Sequence, residues 1–180
     1  MTDSSPASSG VTPIHGAAVV AILKLLDGQR LMTLASNRAD GRPQASTLGY
    51  LNDGLNLYFV TARDSEKLRN IIADPRVGVA IRGVGAEGEA VGVSIDGRAE
   101  EVTDGDEVKR LNDLIITRSP DVSPYAPGGH SVAVVKVIPE QIEAVAVEGG
   151  RSRAQTFSIG DPERVVQGVS YEASAVARLF

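Results

Sequence analysis

The sequence predicts an α+β domain, mainly antiparallel β, in which short strands form a barrel and short helices connect them. Three observations lead there. Short apolar runs with strand character outnumber segments of helical period. The first strand runs are separated by glycine-containing turn signals, Asp40-Gly41 and Asn52-Asp53-Gly54. Helices do not alternate strictly with strands, as they would in a doubly wound α/β fold.

The elements follow in order. Residues 1–12 are rich in serine and poor in large apolar side chains, so a disordered leader is expected. Between Gly16 and Asp27, Val19, Ile22, Leu25 and Leu26 recur at helical spacing, and Gly28 ends the run. Strands are predicted over 31–36, 43–51 and 55–61, making an antiparallel meander. The next segment, 64–75, reads as a helix capped by Asp64 or Ser65, with Leu68, Ile71 and Ile72 as its apolar stripe and Pro75 closing it. A strand over 76–84 puts Val77, Val79 and Ile81 on one face. After a glycine-rich hairpin turn comes a long strand, 91–102, which Gly97 is expected to bend. Asp104, with Glu107 three residues on, has the spacing of a capping box, and Val108, Leu111, Leu114 and Ile115 form that helix's buried face. Three prolines and two glycines between Arg118 and Gly129 require a loop. Residues 130–147 supply a last strand, broken near Pro139, and a further extended piece. The expected organisation is therefore a leader (1–12), a barrel domain (13–148) and a C-terminal extension (149–180) that wraps the barrel or a partner, or is loosely ordered.

Composition narrows the function. A net charge of −5 and a pI near 5.1, without any basic run, argue against nucleic-acid binding. The absence of cysteine excludes disulfides, thiolate metal sites and a cysteine nucleophile. Two histidines, His15 and His130, are too few for an all-histidine metal site. No stretch approaches a bilayer span, and the acidic N-terminus has no signal-peptide pattern, so a cytoplasmic protein is expected.

The chemistry concentrates in 58–77. A strand ends in the hydroxyl of Thr61, and a helix then starts with Ser65 and Lys67. Free N–H groups, the positive end of the helix dipole, two hydroxyls and an ammonium make an anion site suited to phosphate. The plain alternative is that Ser65 only caps the helix and Lys67 is a solvated side chain. Together, 31–51, 52–61 ending in Thr, and Ser-x-Lys followed by Asn70 and Pro75-x-Val77 resemble the pyridoxamine-phosphate-oxidase-like split-barrel family, over about residues 17–147.

The resemblance implies an FMN-binding split barrel, or in one branch a deazaflavin-binding one, with the cofactor in a groove at a homodimer interface. It places Thr61, Ser65 and Lys67 at the phosphate. It places Gln44, Ser46 and Thr47 of the second strand at the flavin, with backbone N–H groups around Ser46-Thr47 at the ring's polar edge. Hydride or electron-pair transfer at the ring would make the protein an oxidoreductase acting on a small molecule. Two features depart from the vitamin B6 oxidases. The strand after Arg42 carries no basic residue, leaving Arg63 or Arg82 to compensate. The chain also lacks tryptophan and any Arg-x-His element, so oxidation of vitamin B6 is not expected. A flavin- or heme-binding module without turnover is the reading of another class, its heme variant disfavoured by the shortage of histidine. No catalytic side chain and no metal ligand stands out. Asp104, Asp106 and Glu107 read as charges that complement a helix dipole, Glu100-Glu101 face opposite ways on a strand, and Tyr50 reads as barrel filling.

Overall fold

A computed structural model of the chain describes residues 10–84, 90–118, 131–148 and 150–170. The expected hairpin turn at 85–89, the expected loop up to Gly129 with His130, most of the expected leader and residues 171–180 of the expected extension lie outside the described residues.

Among the described residues nine strands and four short helices run in the order β1 (Thr12–Pro13), α1 (Ala17–Gly28), β2 (Leu31–Asn37), β3 (Pro43–Gly49), β4 (Leu51–Asp53), β5 (Asn56–Ala62), α2 (Glu66–Ala73), β6 (Arg76–Val84), β7 (Ala90–Glu101), α3 (Gly105–Arg118), β8 (Val132–Glu148), β9 (Arg151–Ser158) and α4 (Pro162–Val165). The sheet is antiparallel except where β1 lies parallel to β9. Its path is β1-β9-β8-β7-β6-β2-β3, with β5 joined to β8 and β4 to β5. This is the split barrel expected from the sequence, curled around one core and not closed.

Turn chemistry places the first strands. Gly41 takes φ +81° between β2 and β3, and Gly54 takes φ +58° between β4 and β5, a region open mainly to glycine. The meander expectation is corrected beyond that point. The chain breaks at Tyr50, β3 pairs with β2, and the β4–β5 hairpin reaches the sheet through β8 instead.

One further correction concerns β8. It runs unbroken through Pro139, its first half pairing with β5 and its second with β9, while β7 lies along its other edge. Proline has no N–H to give a ladder, and the register slips there: Gly97 faces Pro139 and Asp96 faces Gln141. The bulged Glu140 turns its carbonyl to Ile159 N at 2.8 Å. Residues 151–158, placed in the C-terminal extension by the sequence, form a strand of the same sheet.

The interior is filled by Ile22 and Leu26 of α1, Met32 and Leu34 of β2, Leu57 and Phe59 of β5, and Val135 and Val137 of β8. Val77, Val79 and Ile81, on one face of β6 as expected, point into this same core. A second cluster packs Val108 and Leu111 of α3 on Tyr58 and Val134, outside the barrel. Within α2, Leu68 and Ile71 are buried but Ile72 is 69% exposed. Its stripe is narrower than the sequence implied. Among the described residues no helix is long and apolar enough to cross a membrane.

Candidate functional site

The site forms where β5 hands over to α2. Thr61 is the last buried residue of β5, and its Oγ1 lies 3.0 Å from Ser65 Oγ. Ser65, not Asp64, is the N-cap, and its hydroxyl accepts from Leu68 N at 3.2 Å. That bond satisfies one of the donors a helix start leaves open. Lys67, in the first turn of α2, lays its ammonium over the ring of Phe59 at 5.8 Å from the centroid. Phe59 and Thr61 share one face of β5, so the Thr61–Ser65 hydroxyl pair and the Lys67 ammonium lie on the same side of the β5–α2 junction. Partial burial pushes the Lys67 pKa down. No carboxylate among the described residues pairs with it. Lys67 is thus a partly shielded cation still open to an anionic ligand.

Gln44 also reaches this place, but its amide is already engaged. Nε2 donates to Glu66 Oε2 at 3.0 Å, and Oε1 accepts from Asn70 Nδ2 at 3.0 Å. Glu66, lying between Ser65 and Lys67 in sequence, is held by Arg38 at 3.1 Å as well. This chain of four side chains ties β3 and the turn before it to α2. Ser46 shares the half-buried face of β3 with Gln44, whereas Thr47 points to the opposite, exposed face. There Thr47 lies across from Thr33 and borders a cavity of about 400 Å³ with Leu31, Ala80 and Arg82. The six candidates therefore fall on two faces of the sheet.

The compensating cations are absent from the Lys67 side. Arg63 pairs with Glu101 at 2.8 Å, and Arg82 lies on the outer face beside Thr47. Tyr50 donates its hydroxyl to Leu26 O at 2.8 Å, and burial, helped by Asp27, raises its pKa. It anchors α1. Asp104 caps α3 through Asp106 N at 2.8 Å. Glu107 does not read as a mere dipole charge, because its carboxylate takes the Tyr58 hydroxyl at 2.9 Å and the Lys136 ammonium at 3.1 Å. Sequence reasoning missed this buried cluster, whose members come from β5, α3 and β8 without any spacing signal. No group of three or more metal-ligating side chains occurs among the described residues.

The sequence model of the pyridoxamine 5'-phosphate oxidase family matches residues 19–146, and the chain belongs to that family. Solved structures agree. A Listeria innocua protein named for pyridoxamine 5'-phosphate oxidase is 28% identical, with 68% of this chain and 94% of that one covered at a TM-score of 0.56. An FAD-binding protein from Mesorhizobium loti is 25% identical, over 70% of this chain and 92% of that one, at 0.57. A heme binding protein from Mycobacterium smegmatis, 22% identical, shares the fold over 79% of this chain and 59% of its own, at 0.59. No curated protein matches the chain.

Proposed function

We propose that the chain is a flavin-binding oxidoreductase that holds the phosphate of FMN at Thr61, Ser65 and Lys67. The observation that carries this is Lys67, a partly desolvated ammonium with no carboxylate partner among the described residues, beside two hydroxyls at a helix start. The FAD-binding protein of similar sequence supports a flavin. When bound, the flavin supplies the redox chemistry. The protein's part is to bind the phosphate, orient the ring along β3 near Ser46 and Thr47, and cover it from water. Gln44 acts by positioning, because both ends of its amide are spent on α2. The groove is completed by a second copy of the chain, packed on the outer face of β2, β3 and β6. The chain has neither tryptophan nor an Arg-x-His element, so turnover of pyridoxine phosphate is not expected.

The test is a binding cycle. Lys67→Ala is expected to weaken FMN roughly tenfold to a hundredfold, the range of one lost charge-assisted contact. Riboflavin, which has no phosphate, should bind the two proteins alike. An equal loss for both ligands would make Lys67 a support of the site's shape, and no loss for either would move the cofactor elsewhere.

A further inference from the structure

Lys67 alone gives the proposed phosphate site too little positive charge. A phosphate monoester carries about −1.5 to −2 at neutral pH. Glu66, between Ser65 and Lys67, brings a carboxylate into the same first turn of α2, so the two side-chain charges of that turn cancel. The helix dipole adds only about half an elementary charge. A second cation is needed. Two nearby arginines are spent elsewhere: Arg63 pairs with Glu101, and Arg69 donates to Asp64 O.

Arg38 stands where that cation is wanted. α2 bridges two strands that do not pair with each other, β3 and β5. Ser65 and Lys67 meet Thr61 and Phe59 on the β5 side, while Glu66 and Asn70 meet Gln44 on the β3 side. Lys67 thus serves one flank of the helix start and leaves the other without a cation of its own. Alternation along β2 buries Met32, Leu34 and Ser36, and Arg38 comes next on that face, at the start of the β2–β3 turn. Ser36 lies across from Gln44, which puts Arg38 beside that flank.

The backbone of Arg38 is fixed, and its guanidinium is not. Its N–H donates to Arg42 O and its carbonyl accepts from Gly41 N, each at 2.9 Å. At the other end of the side chain, Nη2 lies 3.5 Å from Glu66 Oε2, and Nε, 3.1 Å from Oε1, is out of line for a hydrogen bond. The two side chains are 39% and 47% exposed, and an exposed pair of such loose geometry contributes little. A guanidinium on a phosphate makes a stronger, charge-assisted contact, so a bound phosphate outcompetes Glu66 for it.

We propose that Arg38 is the second phosphate-binding cation, its guanidinium turning from Glu66 to the phosphate oxygens on the flank opposite Lys67. The cation that β3 itself does not carry is supplied by the turn before it. This role rests on the flavin-phosphate reading and deepens it.

A double-mutant cycle in the full chain, titrated with FMN and with riboflavin, tests it. In a Glu66→Gln background no carboxylate is left there for Arg38 to screen. Arg38→Ala in that background should still weaken FMN about tenfold, the loss of one charge-assisted contact, and leave riboflavin unchanged. If Arg38→Ala weakens FMN in the unmodified chain but not in the Glu66→Gln background, Arg38 only screens Glu66 and the proposal is overturned. An equal loss for riboflavin also overturns it, because Arg38 then supports the β3–α2 contact and does not touch phosphate. Lys67→Ala in the same series separates this role from the reading beneath it. Should Lys67→Ala weaken FMN alone while Arg38→Ala in the Glu66→Gln background changes nothing, the Arg38 role falls and the phosphate site stands. Should neither substitution distinguish FMN from riboflavin, or the unmodified chain bind no flavin, both fall together.

Discussion

Glu66 is the residue that most distinguishes this site from a simple phosphate cradle. It stands between the Ser65 cap and Lys67, and Arg38 and Gln44 hold its carboxylate. A carboxylate near a bound phosphate opposes it even when partly neutralised. At such an exposed position, like charges a few ångström apart exchange only about 1 kcal/mol. Glu66→Gln removes the charge and leaves one acceptor oxygen for its two donors, Arg38 and Gln44. It should tighten FMN by about threefold to tenfold at low salt, less at high salt. Calorimetric titration at two ionic strengths would show this, and unchanged affinity at both would place the phosphate away from Glu66.

Elements show where sequence reading works and where it stops. Signals within a few residues were legible: the turns at Gly41 and Gly54, the Ser65 cap, and the Thr61–Ser65–Lys67 cluster all arise from neighbouring positions. Pairings between distant strands were not. Nothing local tells β8 to pair with β5 and then β9, or tells β4–β5 to abandon β3, because register depends on which apolar faces share a core. The Tyr58–Glu107–Lys136 cluster was illegible for the same reason. Two predictions belong here. At the β7–β8 bulge a Cβ on Gly97 would sit 2.3 Å from Ile138 O, so the backbone must move to admit it. Gly97→Ala should cost about 1–3 kcal/mol in urea unfolding, as overpacked sites do, whereas an unshifted midpoint would mean the bulge is soft. At the α2–β6 turn, hydrogen bonds from Arg76 and Asn37 hold the Asp74 carboxyl well below the usual carboxylate range. A depressed folded pKa gives stability that is present above the unfolded value and lost as pH falls through the folded one. Wild-type protein should therefore lose stability below about pH 4, the ordinary carboxylate range, and Asp74→Asn should flatten that loss. An identical acid limb in both proteins would show the contact to be without thermodynamic weight.

Across the whole molecule, the burial pattern decides which surface is left for a partner. Strand alternation sends Val77, Val79 and Ile81 inward, so Gly78, Ala80 and Arg82 face out. The outer surface of β2 and β3 continues this face, with Leu31 61% exposed and Thr33 and Thr47 beside Ala80. Across its middle the face carries small uncharged side chains around the cavity of about 400 Å³, with Arg30 and Arg82 in the same lining. Such a surface suits close approach of a second sheet better than it suits water. It adjoins Thr47, so the proposed cofactor groove and the proposed dimer share one boundary. A charge at its centre should then disturb both. Ala80→Glu would desolvate a carboxylate within the contact, a penalty of several kcal/mol per ion. The fold should tolerate the change, because Ala80 is exposed within one copy. Sedimentation of the unmodified chain should give a dimer at micromolar concentration and Ala80→Glu a monomer of unchanged thermal stability, with FMN affinity falling in step. A monomeric unmodified chain would remove the interface altogether. A dimer that withstands Ala80→Glu would move it to another face, and a monomer that keeps full FMN affinity would show the groove to be complete within one copy.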